Sequence, residues 1–126
     1  MVLVDTSIWI DYFKGKETAI LLNDLIDNND ICINDLILAE LIPSIEHRGE
    51  HDLKEMLFSI TRIPLNTNWS SMIRMQILNL RNGINNVGIP DLMIVQNAVD
   101  NELKIYSSDK HFDLMSTIHS FELYKK

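Results

Sequence analysis

The chain has 126 residues, 46% of them hydrophobic, and carries a formal net charge of −7 at pH 7. This length and apolar content suit one domain with a buried core and leave no room for a second. The acidic balance argues against a protein that holds nucleic acid through a broad basic face, unless the acids gather at one point to bind cations.

The first third of the chain predicts two short buried strands. Residues 2–4 are an apolar run that ends in the capping residues 5–7, a pattern typical of a strand followed directly by a helix. A helical pattern occupies residues 18–28 and ends in an Asp-Asn-Asn-Asp turn. The apolar run at residues 31–33 then predicts the second strand.

The middle of the chain predicts three helices and one weak strand. Asn34 begins a helix that we expect Pro43 to kink or interrupt, and a further helix is predicted over residues 51–59. Residues 62–65 predict an edge strand, because their proline cannot donate to a sheet ladder. The clearest helical period follows a predicted cap at Thr67, and we interpret its apolar stripe as core. The residues that carry this period are Trp69, Met72, Ile73, Gln76, Ile77 and Leu80.

The last third of the chain predicts one more helix and one more strand. Pro90 and Asp91 suit the first turn of a helix, which the apolar positions extend to Val99, and residues 104–107 follow as a strand. Short apolar strands that alternate with helices predict a parallel sheet covered on both sides. The expected fold is one α/β domain over residues 1–126, with three α/β/α layers and a central, mostly parallel sheet of four to five strands.

Two further features bear on where the protein acts. Cys32 is the single cysteine, so no internal disulfide can form and no cysteine cluster can hold zinc. No basic stretch precedes a long apolar run at the start, and no apolar run approaches the ~20 residues of a membrane-spanning helix. We therefore expect a soluble, cytoplasmic protein without membrane contact.

Four acidic side chains are predicted to converge at one edge of this sheet. Asp5 and Asp109 follow two of the strands, Asp91 opens a helix, and Glu40 lies about one turn into the helix after the second strand. Crowded carboxylates repel by about 4 kcal/mol per pair at ~4 Å and an effective dielectric constant near 20, so a bound cation would stabilise them. Oxygen ligands suit Mg²⁺ or Mn²⁺, and the implied chemistry is phosphodiester hydrolysis.

Several segments resemble one known family. The opening run VDTSIWIDYF at residues 4–13 is similar to the first motif of VapC-type PIN domains. The run GIPDLMIVQNA at residues 88–98 resembles the helix that carries the family's third acid, and SSDKHF at residues 107–112 resembles its fourth-acid loop. Glu40, within LAEL at residues 38–41, matches the second acid. The resemblance extends over nearly the whole chain.

The resemblance implies a PIN-like fold and a metal-dependent endoribonuclease. The catalytic and metal-binding residues would be Asp5, Glu40, Asp91 and Asp109, with one or two Mg²⁺ ions and with Mn²⁺ as an alternative. Further contacts to these acids or to the substrate would come from Thr6, Ser7, Ser108 and Asp113. The resemblance also implies that the protein is the toxin of a toxin–antitoxin pair and binds a cognate VapB-type antitoxin. It further implies that the substrate is tRNA or rRNA and that the protein forms a homodimer.

One departure concerns the fourth-acid loop. The family often has an acid two positions after the fourth, where this chain has His111, and Asp113 lies further on. At this point it stays open whether Asp113 or the hydroxyls of Ser107 and Ser108 complete the surroundings of the acids.

Each candidate residue also has a simpler interpretation. Asp5 alone could be an N-cap, and Asp91 alone could be a first-turn acid favoured by the helix dipole. Their joint placement with the two other acids favours the functional interpretation. His47 and His51 have the spacing of a helical zinc site, but no glutamate completes an H-E-x-x-H motif, so we interpret them as surface residues.

Other classes of protein also place an aspartate after a parallel strand. A haloacid-dehalogenase-like phosphatase needs a second aspartate where this chain has Ser7, and a receiver domain needs adjacent acids where Thr6 follows Asp5. Two alternatives within the PIN resemblance stay open. One is a housekeeping nuclease that processes RNA, and the other is a non-catalytic module that binds RNA or protein.

Overall fold

The secondary structure is taken from a computed structural model that describes residues 1–125, except for the side chain of Thr18. Within these residues the strands are β1 (Val2–Val4), β2 (Ile31–Ile33), β3 (Thr61–Arg62), β4 (Lys104–Tyr106) and β5 (Glu122–Leu123). The helices are α1 (Thr6–Phe13), α2 (Leu21–Asp27), α3 (Asp35–His47), α4 (His51–Ser59), α5 (Trp69–Arg81), α6 (Ile89–Asn101) and α7 (Lys110–Met115). Within this described part of the chain, none of the helices has both the length and the apolarity to span a membrane.

The five strands form one parallel sheet in the order β3-β2-β1-β4-β5. At its centre, Leu3 of β1 is in register with Cys32 on one side and with Ile105 on the other. Every residue of β1 and β2 is buried, because helices cover both faces of the sheet. The predicted three-layer α/β/α architecture is confirmed, and the sheet has five strands.

Trp9 of α1 is buried in the core, and two other aromatic side chains of the same helix pack against its ring. Trp9 is completely buried, and its ring contacts those of Tyr12 and Phe13 at centroid distances of 6.1 Å and 6.0 Å. Phe112 of α7 is also buried in the core. Edge-on and tilted ring pairs at this spacing stabilise by about 0.5–1.5 kcal/mol beyond the burial of their area. The burial of Ile8 and Trp9 in the core fixes the start of α1, directly after Asp5.

Buried amides fix the start of α3. Asn34 is fully buried, and its Oδ1 accepts from the backbone N–H of Ile37 at 3.0 Å. Its Nδ2 donates to Oδ1 of Asn97 on α6 at 3.0 Å, and Asn97 donates in turn to the carbonyl of Pro64 at 3.0 Å. Breaking such a network would leave buried polar groups unpaired, at about 1–3 kcal/mol each. These bonds set the position of α3 and therefore of Glu40.

Of the two effects predicted for Pro43, a kink or an interruption of the helix, the interruption is excluded. Pro43 lies inside α3, and the helix continues beyond it to His47 instead of being interrupted there. Pro43 itself is exposed, while Leu41 and Ile45 on either side of it are buried in the core. The burial of these neighbours offsets the hydrogen bond that the proline cannot donate.

Three other boundaries differ from the prediction. α5 is capped by Asn68 and not by Thr67, because Oδ1 of Asn68 accepts from the N–H of Ser71 at 3.0 Å. The edge strand predicted at residues 62–65 is β3 and ends before its proline. The helical pattern at residues 18–28 begins with a short 3-10 turn, and its α-helix starts only at Leu21.

We expected the apolar stripe of α5 to be part of the core, but most of it is exposed. Met72 is buried, but the side chains of Trp69, Ile73 and Leu80 are each 60% exposed. Together with residues at the start of α6 they line a surface groove of about 270 Å³. We define the α5 apolar face as Trp69, Ile73, Ile77, Leu80 and Ile89. The helical period predicts that such residues share a face, but it does not predict whether another layer covers that face.

Candidate metal centre

Asp5 lies between β1 and α1, where two serine hydroxyls hold its carboxylate. Its Oδ2 accepts from Oγ of Ser7 at 2.9 Å and from Oγ of Ser107 at 2.8 Å. Its backbone N–H donates to the carbonyl of Tyr106 at 2.9 Å. Hydrogen bonds to a charged acceptor are stronger than neutral ones, so this carboxylate is held in a fixed orientation.

The loop after β4 holds these two hydroxyls in turn. Oγ of Ser7 accepts from the backbone N–H of Ser108 at 3.2 Å, and Oγ of Ser107 accepts from the backbone N–H of Asp109 at 3.0 Å. Ser107 therefore supplies a hydroxyl at this site, whereas Ser108 takes part through its backbone. The residues around the first and the fourth acid form one hydrogen-bonded unit.

Glu40 of α3 faces the same edge of the sheet. Its Oε1 accepts from Oγ1 of Thr6 at 3.1 Å, which links the start of α1 to α3. The pKa of Glu40 is raised, first by burial and then by the negative charges of Asp5 and Asp91, although the bond from Thr6 acts in the opposite direction. Glu40 is thus electrostatically coupled to two of the other acids.

Asp91 in the first turn of α6 completes the group of acids. Its pKa is raised, first by burial and then by the charges of Asp109 and Asp5. One ligand atom from each of Asp91, Asp109 and His111 lies within 4.8 Å of the other two. The structure therefore brings together all four acids that the sequence singled out.

His111 is also a member of this site, although in the sequence it stands out only as a departure from the family pattern. Asp109 caps α7, and its Oδ1 accepts from the backbone N–H of His111 at 2.9 Å. Nδ1 of the same histidine lies 3.1 Å from that oxygen. A residue two positions after an N-cap aspartate has its N–H, and here also its ring, within reach of the cap. This spacing is the signal that could have identified it.

Other candidates lie elsewhere. The carboxylate of Asp113 on α7 contacts Nζ of Lys125, which follows β5, at 3.6 Å in an exposed ion pair. His47 ends α3 and His51 begins α4, and both are exposed, as we expected of surface residues.

The donor set of this centre fits a divalent cation. Carboxylate oxygens are the ligands that Mg²⁺ and Mn²⁺ prefer, and several are gathered at one edge of the sheet. Burial and, after it, repulsion among these acids raise the pKa of Glu40 and of Asp91, and a cation between the acids would relieve the repulsion. The acids, Ser7, Ser107 and Thr6 together are the candidate metal centre.

Carboxylates at the carboxyl edge of a parallel sheet define a class of ligand-binding α/β domains. A family model described as the PIN domain matches residues 2–117, so the chain belongs to the PIN domain family. The resemblance drawn from the sequence motifs is thereby confirmed. PIN domains are in general nucleases.

Solved structures with the same fold are also found. FitAcB from Neisseria gonorrhoeae has a TM-score of 0.77 at 13% identity, over 99% of this chain and 97% of that chain. DNA-bound VapBC from Salmonella typhimurium has a TM-score of 0.74 at 17% identity, over 98% and 96%. VapBC2 from Rickettsia felis, bound to a DNA fragment from its promoter, has a TM-score of 0.74 at 16% identity, over 98% of each chain. A comparison with curated proteins gave no significant match.

Proposed function

We propose that this protein is a metal-dependent endoribonuclease and the toxin of a VapBC-type toxin–antitoxin pair. The observation that carries the proposal is the gathering of Asp5, Glu40, Asp91 and Asp109 on a PIN fold. The toxin role, and a cognate VapB-type antitoxin as partner, are supported by structural neighbours that are complexes named VapBC. The opening motif at residues 4–13 supports the same assignment.

The residues of the candidate metal centre would have two different roles, metal binding and orientation of the metal ligands. Asp5, Glu40, Asp91 and Asp109 would hold one or two Mg²⁺ or Mn²⁺ ions. When bound, such an ion lowers the pKa of a coordinated water and stabilises negative charge on the phosphoryl oxygens. Ser7 and Ser107 keep the Asp5 carboxylate in one orientation through bonds to Oδ2. Thr6 does the same for Glu40 across the gap between α1 and α3.

The substrate that we propose is a structured RNA, either tRNA or rRNA. The chain carries a net charge of −7, so a broad basic surface does not hold the phosphate backbone. Recognition would depend on the shape of a folded RNA and on the metal bridge between phosphate and carboxylates. A protein of this kind selects few RNAs and binds the rest weakly.

The experiment that tests the proposal is RNA cleavage by the purified chain, free of antitoxin. Total tRNA and rRNA are incubated in Mg²⁺, in Mn²⁺ and in EDTA. We expect cutting with either metal and its loss in EDTA. Asp27→Asn, which changes an exposed acid at the end of α2, serves as the matched control and should cut like the parent. A folded, metal-loaded protein that cuts none of these RNAs would support the binding-module alternative.

We propose further that the protein is a homodimer, as the family resemblance implies, through the α5 apolar face. Trp69 and Ile73 on this face are each 60% exposed, and Ile89 of α6 extends it at 48% exposure. Exposed apolar patches of this kind are typical of protein interfaces. Every copy of the chain carries the same apolar face. A two-fold symmetric pairing would therefore bury the faces of two copies against each other.

Ile73→Glu is expected to convert the dimer into a monomer, because it places a charge at the centre of the apolar face. Sedimentation or light scattering at micromolar protein concentration measures the change. Arg74→Glu is the matched control, since Arg74 is the exposed neighbour on the same helix and lies outside the face. The proposed interface is refuted if the wild-type protein is a monomer, or if both variants keep the mass of a dimer.

A further inference from the structure

We propose that His111 is a nitrogen ligand of the metal ion in this centre, beside Asp91 and Asp109, and that it shifts the preference of the site from Mg²⁺ toward transition ions such as Mn²⁺. This inference rests on the proposed function only in so far as it uses the same metal centre. It adds a ligand that is not one of the four acids, and a metal selectivity that the acids alone do not imply.

The spacing of the three side chains suits coordination of one ion. Their ligand atoms all lie within 4.8 Å of one another, and Nδ1 of His111 is 3.1 Å from Oδ1 of Asp109. In octahedral coordination at ~2.1 Å, neighbouring ligand atoms are roughly 3.0 Å apart and opposite ones roughly 4.2 Å apart. The observed separations therefore need only small side-chain rotations to bring all three atoms onto one ion.

Two contacts with Asp109 place His111, one from its backbone and one from its ring. The N–H of His111 donates to Oδ1 of Asp109 at 2.9 Å, and the ring nitrogen contacts the same oxygen, so the second carboxylate oxygen is used by neither contact. The side chains of His111 and Asp109 are 32% and 38% exposed, which leaves them accessible to an ion from solvent. A histidine held two positions after its carboxylate partner is prepared for binding at little cost in side-chain entropy.

The chemistry of an imidazole ligand predicts the change in selectivity. Mg²⁺ prefers oxygen donors, whereas imidazole nitrogen favours first-row transition ions. An acid at position 111 would add a negative charge and a hard oxygen, both of which favour Mg²⁺. Histidine adds neither, so the site loses affinity for Mg²⁺ relative to Mn²⁺.

An alternative role for His111 is to orient Asp109 by a hydrogen bond without touching the ion. His111→Asn separates the two roles, because the asparagine amide can keep an N–H donor near the position of Nδ1 but supplies no imidazole. His111→Asp introduces the carboxylate that the family often has there. His51→Asn, on an exposed histidine at the start of α4, is the matched control.

Two measurements on the folded proteins test the proposal without any reaction. Pulsed electron paramagnetic resonance of the Mn²⁺-loaded protein detects coupling to an imidazole nitrogen, and calorimetry gives the dissociation constants of Mn²⁺ and Mg²⁺. We expect the nitrogen coupling in the wild type and in His51→Asn, and its loss in His111→Asn. We also expect the preference for Mn²⁺ over Mg²⁺ to fall by about tenfold in His111→Asn and His111→Asp.

Several results would overturn the inference. They are an absence of nitrogen coupling in the wild type, its persistence in His111→Asn, or an unchanged metal preference in that variant. Its failure is distinguishable from failure of the proposed function. RNA cutting by a protein without nitrogen coupling contradicts the ligand role of His111 alone, whereas coupling in a protein that cuts no RNA contradicts the nuclease alone.

Discussion

Asp5→Asn is expected to lower the rate of RNA cleavage by about a hundredfold to a thousandfold, the range seen when one preorganised electrostatic group is removed from an active site. The carboxylate of Asp5 accepts two serine hydroxyls on Oδ2 and supplies negative charge to the candidate metal centre. The asparagine side chain is neutral, and its NH₂ group cannot accept the two hydroxyl bonds that Oδ2 accepts. The rate of cutting under saturating metal measures the effect.

A milder change beside Asp5 gives a graded comparison. Ser107→Ala leaves the carboxylate in place but removes one of its two hydroxyl bonds, so we expect a loss of about tenfold, as for outer contacts of metal ligands. Asp27→Asn again serves as the control for loss of an exposed acid. Full activity in Asp5→Asn would mean that the site is wrongly assigned or that another nuclease contaminates the sample.

Asp91→Asn is expected to make the metal-free protein more stable while it removes the stabilisation by Mg²⁺. Because burial and the charges of Asp109 and Asp5 raise the pKa of Asp91, its ionised form is less favourable in the folded chain than in the unfolded one. The neutral asparagine avoids this penalty. Because Asp91 is only half-buried and water screens the repulsion, we expect a gain no larger than about 1 kcal/mol, or a few degrees in the melting temperature of a chain this size.

The dependence on pH checks the sign of this effect. A group with a raised folded pKa contributes stability that is present below its unfolded value, 3.8 for this aspartate, and that is lost as the pH rises through the folded value. In EDTA, the wild type should therefore lose stability relative to Asp91→Asn as the pH rises above about 3.8. Thermal unfolding followed over this range measures the difference.

Metal addition should reverse the order of the two proteins. At a Mg²⁺ concentration of about 100 times the dissociation constant, a ligand that binds only the folded state stabilises it by about 2.7 kcal/mol. The wild type should gain this stabilisation and Asp91→Asn should lose most of it. A variant that is less stable than the wild type in EDTA, or one with an unchanged response to Mg²⁺, would exclude Asp91 as a coupled metal ligand.

Much of the sheet and of the acidic site could be predicted from short-range patterns. The apolar runs at residues 2–4 and 31–33 needed no tertiary information, because strands covered on both faces are apolar throughout. The convergence of the acids followed from a rule of topology, since the carboxyl ends of parallel strands share one edge. Asp5 and Asp109 could therefore be placed together although 104 positions separate them.

The parts that could not be predicted depend on contacts across the fold. The network from Asn34 to Asn97 joins two helices, and neither amide differs in sequence from a surface asparagine. The exposure of Ile73 depends on the absence of a layer outside α5 within the described residues, which the helical period does not encode. The spacing of His111 from Asp109 indicates that its N–H can reach the cap, but it does not determine the rotamer that brings the ring to the same carboxylate.

The central strand of the sheet also determines when the site can form during synthesis. β1 pairs with β4, so Val4 meets Tyr106 only after all but the last strand has been made. Asp5 is made 104 positions before Asp109, which lies in the loop after β4. A growing chain therefore carries an incomplete set of acids until this loop has been made. The candidate metal centre can assemble only after that point.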